Sequence, residues 1–406
     1  MVLSAQDCGP RCLMVNIAVI IGTSAFLPQV LLAGGWLGET PALDPALMSK
    51  LLRAAAVVLL LACSLPTNLR RYRLPGIIAL AGVGTAAMMF LLRPQSPNEL
   101  DALFCNGAVI VALTAALLCS DIAAAGIGRT GLELSVMFQA LLSLSLSMGG
   151  RWQSDNGGWV GATGNANTFA FLCLVVIGRR FFQTPVRWWQ FPIIFVATIG
   201  VLASGSLFAV ASLLLLVCVG MLFSVRIAAL STVLLVVLLL LAALGAGLIS
   251  EELWAGTLSH VEFKIRSLLA WFLGDADVVG SRSVELRGSQ WREALDWFVR
   301  LPTALAEGGV GGGSYFAADS QLLTYAASFG VPVTMALLVP VALGVLRLRF
   351  AGPRFAEFGC QLLLVSAFLV VNRCYDYSSG GVVIALVLAE VCATVPVGPR
   401  PIPSHP

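Results

Sequence analysis

Apolar residues in this chain collect into runs long enough to cross a bilayer as helices, separated by short polar breaks. The runs cover residues 12–34, 47–66, 74–92, 102–120, 130–149, 164–180, 188–203, 206–224, 227–249, 321–346, 358–372 and 379–396. A helix of about 20 apolar residues spans the hydrocarbon core of a membrane. The pattern therefore predicts an all-α polytopic membrane protein with about twelve transmembrane helices, residues 1–406 forming one integral membrane domain. The runs lack the strict alternation of an outer-membrane barrel. The first is longer than the apolar core of a signal peptide and has no clean small-residue cleavage site after it, so it reads as the first span. The turn Ser204-Gly205-Ser206 must fold one long apolar stretch back on itself as a hairpin.

One polar stretch breaks the rhythm. Residues 250–320 hold Arg282, Arg287, Arg292, Glu285, Glu293, Asp296, Trp291, Trp297, the glycine-rich run from Gly308 to Gly313, and Asp319. A membrane protein that gathers charged, aromatic and flexible residues in one loop places its chemistry there. Within the loop, Ala294, Leu295, Trp297, Phe298 and Leu301 recur at helical spacing. They predict an amphipathic helix over Trp291–Leu305, preceded by the three arginines and ended by Pro302 and the glycines, lying along the outer membrane face.

Composition sharpens this picture. The chain is 58% hydrophobic and 11% charged, against about a quarter charged in a soluble domain. Of its 24 basic residues, 22 are arginine. Thirteen arginines, among them Arg11, Arg70, Arg71, Arg129, Arg179, Arg180 and Arg347, fall in one set of short loops, and only Lys50, Arg53, Arg93, Arg151 and Arg373 fall in the opposite short loops and span ends. The positive-inside rule then puts both termini in the cytoplasm and the 250–320 loop outside. ATP and nucleotide-sugars are not available there, so a substrate must arrive already activated. The ten cysteines lie mostly inside apolar runs without a Cys-x-x-Cys pair and read as inert thiols. With His260 and His405 as the only histidines, a histidine-based metal site is not expected.

Each candidate group has a plain alternative. Gly309-Val310-Gly311-Gly312-Gly313 lacks the βαβ context of a dinucleotide fingerprint and the lysine of a P-loop; it is either a flexible connector or a backbone cradle for an anion. Arg282, Arg287 and Arg292 either meet lipid headgroups or bind a phosphate bidentately. Arg151-Trp152 leads to Gly161-Ala162-Thr163-Gly164-Asn165-Ala166-Asn167, where one asparagine is explained as a helix cap and the other, Asn167 among the candidates, by hydrogen bonds to a sugar or to backbone. Arg373, Tyr375 and Asp376 form either an internal ion pair or a third outer cluster. Asp319 is either a helix cap or a base, being the only carboxylate between the glycine run and the next span.

The order of these motifs resembles the O-antigen ligase/polymerase superfamily, which holds Wzy-type polysaccharide polymerases, O-antigen ligases and O-linked oligosaccharyltransferases. Arg151 followed by Gly164-Asn165-Ala166-Asn167 is similar to the motif opening a middle span of that superfamily. Arg287-(x3)-Trp291-(x2)-Ala294-Leu295, Gly308 to Gly313, Asp319-Ser320-Gln321-Leu322-Leu323 and Phe329-Gly330 are similar to its signature loop and exit helix. The resemblance covers about residues 145–345. It implies a GT-C-like, metal-independent glycosyltransferase of the bacterial inner membrane with no cofactor. Its partners would be undecaprenyl-diphosphate-linked glycans and membrane lipids, with room for a chain-length regulator and none for nucleic acid. The ligases and oligosaccharyltransferases carry histidine where this chain has Asp319, and an arginine after the serine where it reads Ser204-Gly205-Ser206; both departures favour a polymerase. The implied roles are Arg287 on the departing diphosphate, Asp319 on the acceptor hydroxyl, and Arg151, Asn167, Arg282, Trp291, Arg292 and Arg373 in substrate binding. An O-antigen ligase acting on lipid A-core is the alternative within this chemistry. A transporter or flippase is the alternative outside it, disfavoured because the runs carry almost no charge in their interiors.

Overall fold

Proline and glycine decide where the apolar runs stay whole and where they break. The computed structural model describes residues 9–33, 44–64, 73–92, 100–119, 126–148, 158–182, 190–223, 282–308, 318–372 and 378–393, with Gly35 and short pieces of 262–270. The elements among these residues are all helical. The first run is two helices, α1 (Gly9–Thr23) and α2 (Leu27–Ala33), bent by 40° just ahead of Pro28. The next, α3 (Pro45–Cys63), stays straight: Asp44 caps it by accepting the Ala46 N–H at 3.0 Å, and Pro45 sits in the first turn, where a missing N–H costs nothing. A π-helical stretch, Leu80–Gly84, joins α4 (Arg73–Ala79) to α5 (Thr85–Leu92), and a second, Asp101–Ala108, leads into α6 (Val109–Cys119). Then come α7 (Arg129–Met148), α8 (Ala166–Phe181), α9 (Phe191–Ala203) and α10 (Leu207–Phe223). The expected hairpin lies between α9 and α10, with Gly205 at φ +64 making the turn. The run expected over 227–249 lies outside the described residues.

After the polar loop's α11 (Arg282–Arg300) and short α12 (Ala304–Glu307), the run expected as one span over 321–346 is three helices: α13 (Gln321–Phe329), α14 (Val331–Leu337) and α15 (Val339–Arg347). Gly330 and then Pro332 make the first break, and Pro340 follows the second. Proline has no N–H for the preceding turn and its ring collides with that turn's carbonyl, so the axis bends by 52° at the second break. The chain closes with α16 (Phe355–Val371) and α17 (Ser378–Cys392).

By length and composition, two helices, Pro45–Cys63 and Arg129–Ser147, are able to cross a membrane, or four if each bent pair is one span. The other apolar helices have 10–17 residues. Packing fits a lipid surround. Every residue of α8 from Thr168 to Phe181 is buried, as is α17 from Ser379 to Cys392. Around these two, large apolar side chains point outward: Leu80 and Leu91 are 76% and 80% exposed, and Leu13, Val58, Leu141 and Leu346 follow. Water would penalise such a rim; hydrocarbon would not.

Candidate functional site

Among the described residues of the polar loop, α11 is the longest element, and it is longer than its pattern predicts. α11 begins at Arg282 rather than near Trp291, so Arg282 and Arg287 belong to the helix, together with Arg292, instead of preceding it. It stops at Arg300, because Leu301 precedes Pro302 and that position disfavours helical backbone. Along α11, residues Arg287, Gln290, Trp291, Ala294 and Phe298 repeat at helical spacing and share a face. Ala294, 1% exposed, seats that face on Ala318 and Leu323, with Phe298 beside it. This docking carries Arg287 to the start of α13.

There it meets Asp319. Arg287 Nε lies 3.4 Å from Asp319 Oδ2, with the two side chains 37% and 41% exposed. The Nε atom itself is shielded and forms no hydrogen bond, so this is a charge contact without hydrogen-bond alignment. Gln290, on the same face, accepts the Asp319 backbone N–H at 3.2 Å. Asp319 does not cap α13. Ser320 does, its hydroxyl accepting the Leu323 N–H at 3.3 Å from an extended backbone. Thr324 Oγ1 ties down the preceding turn, accepting from the Ala318 N–H and donating to the Ala318 carbonyl, both at 3.1 Å. The Asp319 carboxylate is left to face Arg287 and solvent.

The asparagine motif divides its labour. Asn165 is the cap of α8, its Oδ1 accepting the Thr168 N–H at 3.0 Å. Asn167 lies one residue inside the helix, half-buried and without a capping role. This helix start adjoins the start of α13 and the end of α16. Asn372 donates to Thr168 Oγ1 at 3.5 Å, and its carbonyl accepts the Gln321 N–H at 3.3 Å. The motifs at 164–168, 319–321 and 372 therefore converge on one end of the bundle.

Not every candidate joins them. Trp291 follows Arg287 by one helical turn and is 37% exposed beside it. Arg292 lies about 140° round the helix from Arg287, exposed, and is not drawn into the contact. Arg282 is described only as the first residue of α11. Arg151, Trp152, Arg373, Tyr375, Asp376 and Gly309–Gly313 lie outside the described residues. Gly308, the first of the glycine run, has a structural reason to be glycine. At φ +67 its Cα packs on the α13–α14 break, and a Cβ would stand 2.3 Å from the Gly330 nitrogen. Among the described residues, no group of three or more His, Cys, Asp or Glu side chains is placed to hold a metal ion.

The opposite end of the bundle holds charges that the loop pattern does not predict. Arg129 reaches Glu357 at 2.9 Å and Glu390 at 3.0 Å, Arg179 reaches Glu390 at 3.1 Å, Arg354 reaches Glu357 at 2.9 Å, and Arg180 pairs with Glu133. The pattern sets these arginines in loops; the structure draws them between α7, α8, α16 and α17. The available signal was the three glutamates, each within a few residues of a run's end, where a carboxylate needs a cation beside it. Compared with models of known protein families and with curated proteins, the chain matches none.

Proposed function

We propose that this chain is a membrane-embedded, GT-C-like glycosyltransferase that polymerises lipid-linked polysaccharide repeat units. The observation that carries the reading is the Arg287–Asp319 contact: two groups far apart in the polar loop, half-exposed, at the end of the bundle where the asparagine motif also opens. In the proposed step an acceptor sugar hydroxyl attacks the anomeric carbon of the donor glycan. Asp319 takes the hydroxyl proton, the new C–O bond forms, and the bond to undecaprenyl diphosphate breaks with its electron pair leaving on the diphosphate. Arg287 offers a planar fork of donors to that departing charge. A half-exposed arginine and a carboxylate without a capping duty suit these roles better than a pair buried away from solvent does.

The same reading takes the remaining apolar runs as spans, about twelve in all, in a bacterial inner membrane. Both termini are then cytoplasmic and the 250–320 loop periplasmic, as the arginine bias in short loops implies. Undecaprenyl-diphosphate-linked glycans are the substrates. The test is elongation by the purified protein supplied only with lipid-linked repeat units. A ladder of products is expected. Transfer to lipid A-core without self-elongation would make the chain a ligase, and movement of lipid-linked glycan across vesicles without transfer would make it a flippase.

A further inference from the structure

Arg53 lies eight residues after Pro45 in α3, roughly 12 Å along a helix able to span the membrane. Arginine at such depth is rare, costly, and associated with a ligand or a partner. Here the partner is not a carboxylate among the described residues. Arg53 Nη1 donates to Asn106 Oδ1 at 3.0 Å, its guanidinium stands 5.9 Å from the Phe26 ring, and its buried Nε has no hydrogen-bond partner. Asn106 belongs to the π-helical stretch Asp101–Ala108, a helix distortion that recurs at functional sites.

Two buried serines on the elements packed there also leave their hydroxyls without a hydrogen-bond partner. Ser49 precedes Arg53 by one turn on the same face and is 4% exposed; Ser24, in the α1–α2 bend, is 6% exposed; neither hydroxyl has a hydrogen-bond partner. α1 packs against α3 so that Gly22 faces Ala56, and Phe26 just beyond α1 faces Arg53, with Ser24 between Gly22 and Phe26 along the chain. The pocket thus offers one full positive charge and several hydrogen-bond donors. Helix geometry leans Arg53 towards the start of α3, the end that carries the Arg287–Asp319 contact. Phe26 also packs on Gly164, which opens the asparagine motif.

We infer that Arg53, with Ser49 one turn before it, forms a second anion pocket that takes the phosphate of a lipid headgroup, specifically the diphosphate of a prenyl lipid. Phosphate supplies several acceptor oxygens and a lasting negative charge, and a membrane lipid carries it to the end of α3 towards which Arg53 leans. The diphosphate assignment rests on the proposed function, since a polymerase joins two lipid diphosphates and needs two cationic centres; the anion pocket itself does not.

The experiment titrates farnesyl diphosphate into the purified full chain carrying Arg287→Ala, which removes the cation proposed for the departing diphosphate, with native mass spectrometry as the readout. Binding is expected, and Arg53→Gln is expected to weaken it by about tenfold or more, the scale for removing a buried charge partner. Ser49→Val should weaken it less, and keeps the test open if Arg53→Gln does not fold. Affinity unchanged in both variants overturns the pocket, as does farnesol binding as tightly as the diphosphate. Displacement by an equal amount of phosphatidylglycerol overturns the diphosphate assignment in favour of ordinary lipid. Arg53-dependent binding in a protein that never elongates glycan upholds the pocket and defeats only the glycosyl-transfer reading.

Discussion

The two ends of the helical bundle use the same residue types for opposite purposes. At one end Arg179, 3% exposed, meets Glu390, 2% exposed, within a cluster that Arg129, Glu357 and Arg354 extend. At the other, Arg287 and Asp319 stand 3.4 Å apart with 37% and 41% of their side chains open. A buried ion pair has paid for its desolvation and has nothing left to give a ligand; removing one partner strands the other. A half-exposed pair is worth little to stability, because water and salt screen it. Its charges remain available. Burial, rather than the presence of arginine and carboxylate, separates the clasp that fastens helices from the pair that can act on a substrate.

That contrast is easiest to break at the buried end. Glu390→Gln leaves Arg179 without its carboxylate between helices, and a loss of roughly 3–5 kcal/mol is expected; Arg179→Ala, which leaves Glu390 its contact with Arg129, should cost less. Thermal unfolding in detergent and protein yield from membranes should both fall sharply. An unchanged unfolding temperature would mean that the cluster does not hold α8 to α17. At the exposed end the effect should move from stability to rate. Arg287→Ala is expected to lower elongation by about 10²–10³-fold, the range for losing a donor aimed at developing charge, with little change in unfolding temperature. Arg287→Lys should fall between, since lysine keeps the charge but not the fork. Wild-type ladder lengths from Arg287→Ala would remove it from the site.

Asp319→Asn sharpens the comparison further. The amide cannot take a proton, so elongation should drop by about 10²-fold or more, while stability changes by at most about 1 kcal/mol. Full activity in that variant would send the search for a base to Glu285, Glu293 and Asp376. The smallest effect belongs to the neighbouring cap. Ser320→Ala should cost about 1 kcal/mol of stability, with activity largely kept if α13 still starts at Gln321. If Ser320→Ala and Asp319→Asn lose the same property to the same degree, the division between cap and carboxylate is wrong.

Much of the helical plan is legible along the chain because it depends on neighbours in sequence. The runs, the hairpin at Ser204–Ser206, the arrest of α11 before Pro302 and the cap at Asn165 follow from apolar spacing, glycine, proline and local hydrogen bonds. Local signals also have blind spots. The start of α11 lay nine residues ahead of its apolar pattern, because Arg282 to Gln290 form helix on a polar face that carries no apolar rhythm. Asp319 and Ser320 are both good caps by residue type, and only the backbone geometry assigns the duty to Ser320.

The sequence by itself determined the helical character of the described elements, where the long polar interruption falls, and which residues in that interruption have chemistry to offer. Tertiary structure alone decided which of them meet. Arg287 reaches Asp319, rather than Arg292 doing so, because Ala294 and Phe298 seat one face of α11 on Ala318 and Leu323. Arg179 and Glu390 meet across more than half the chain because α8 and α17 pack side by side. Periodicity is a property of neighbours along the chain, whereas an ion pair between distant residues is fixed by packing, and packing is the sum of every helix's choice of face.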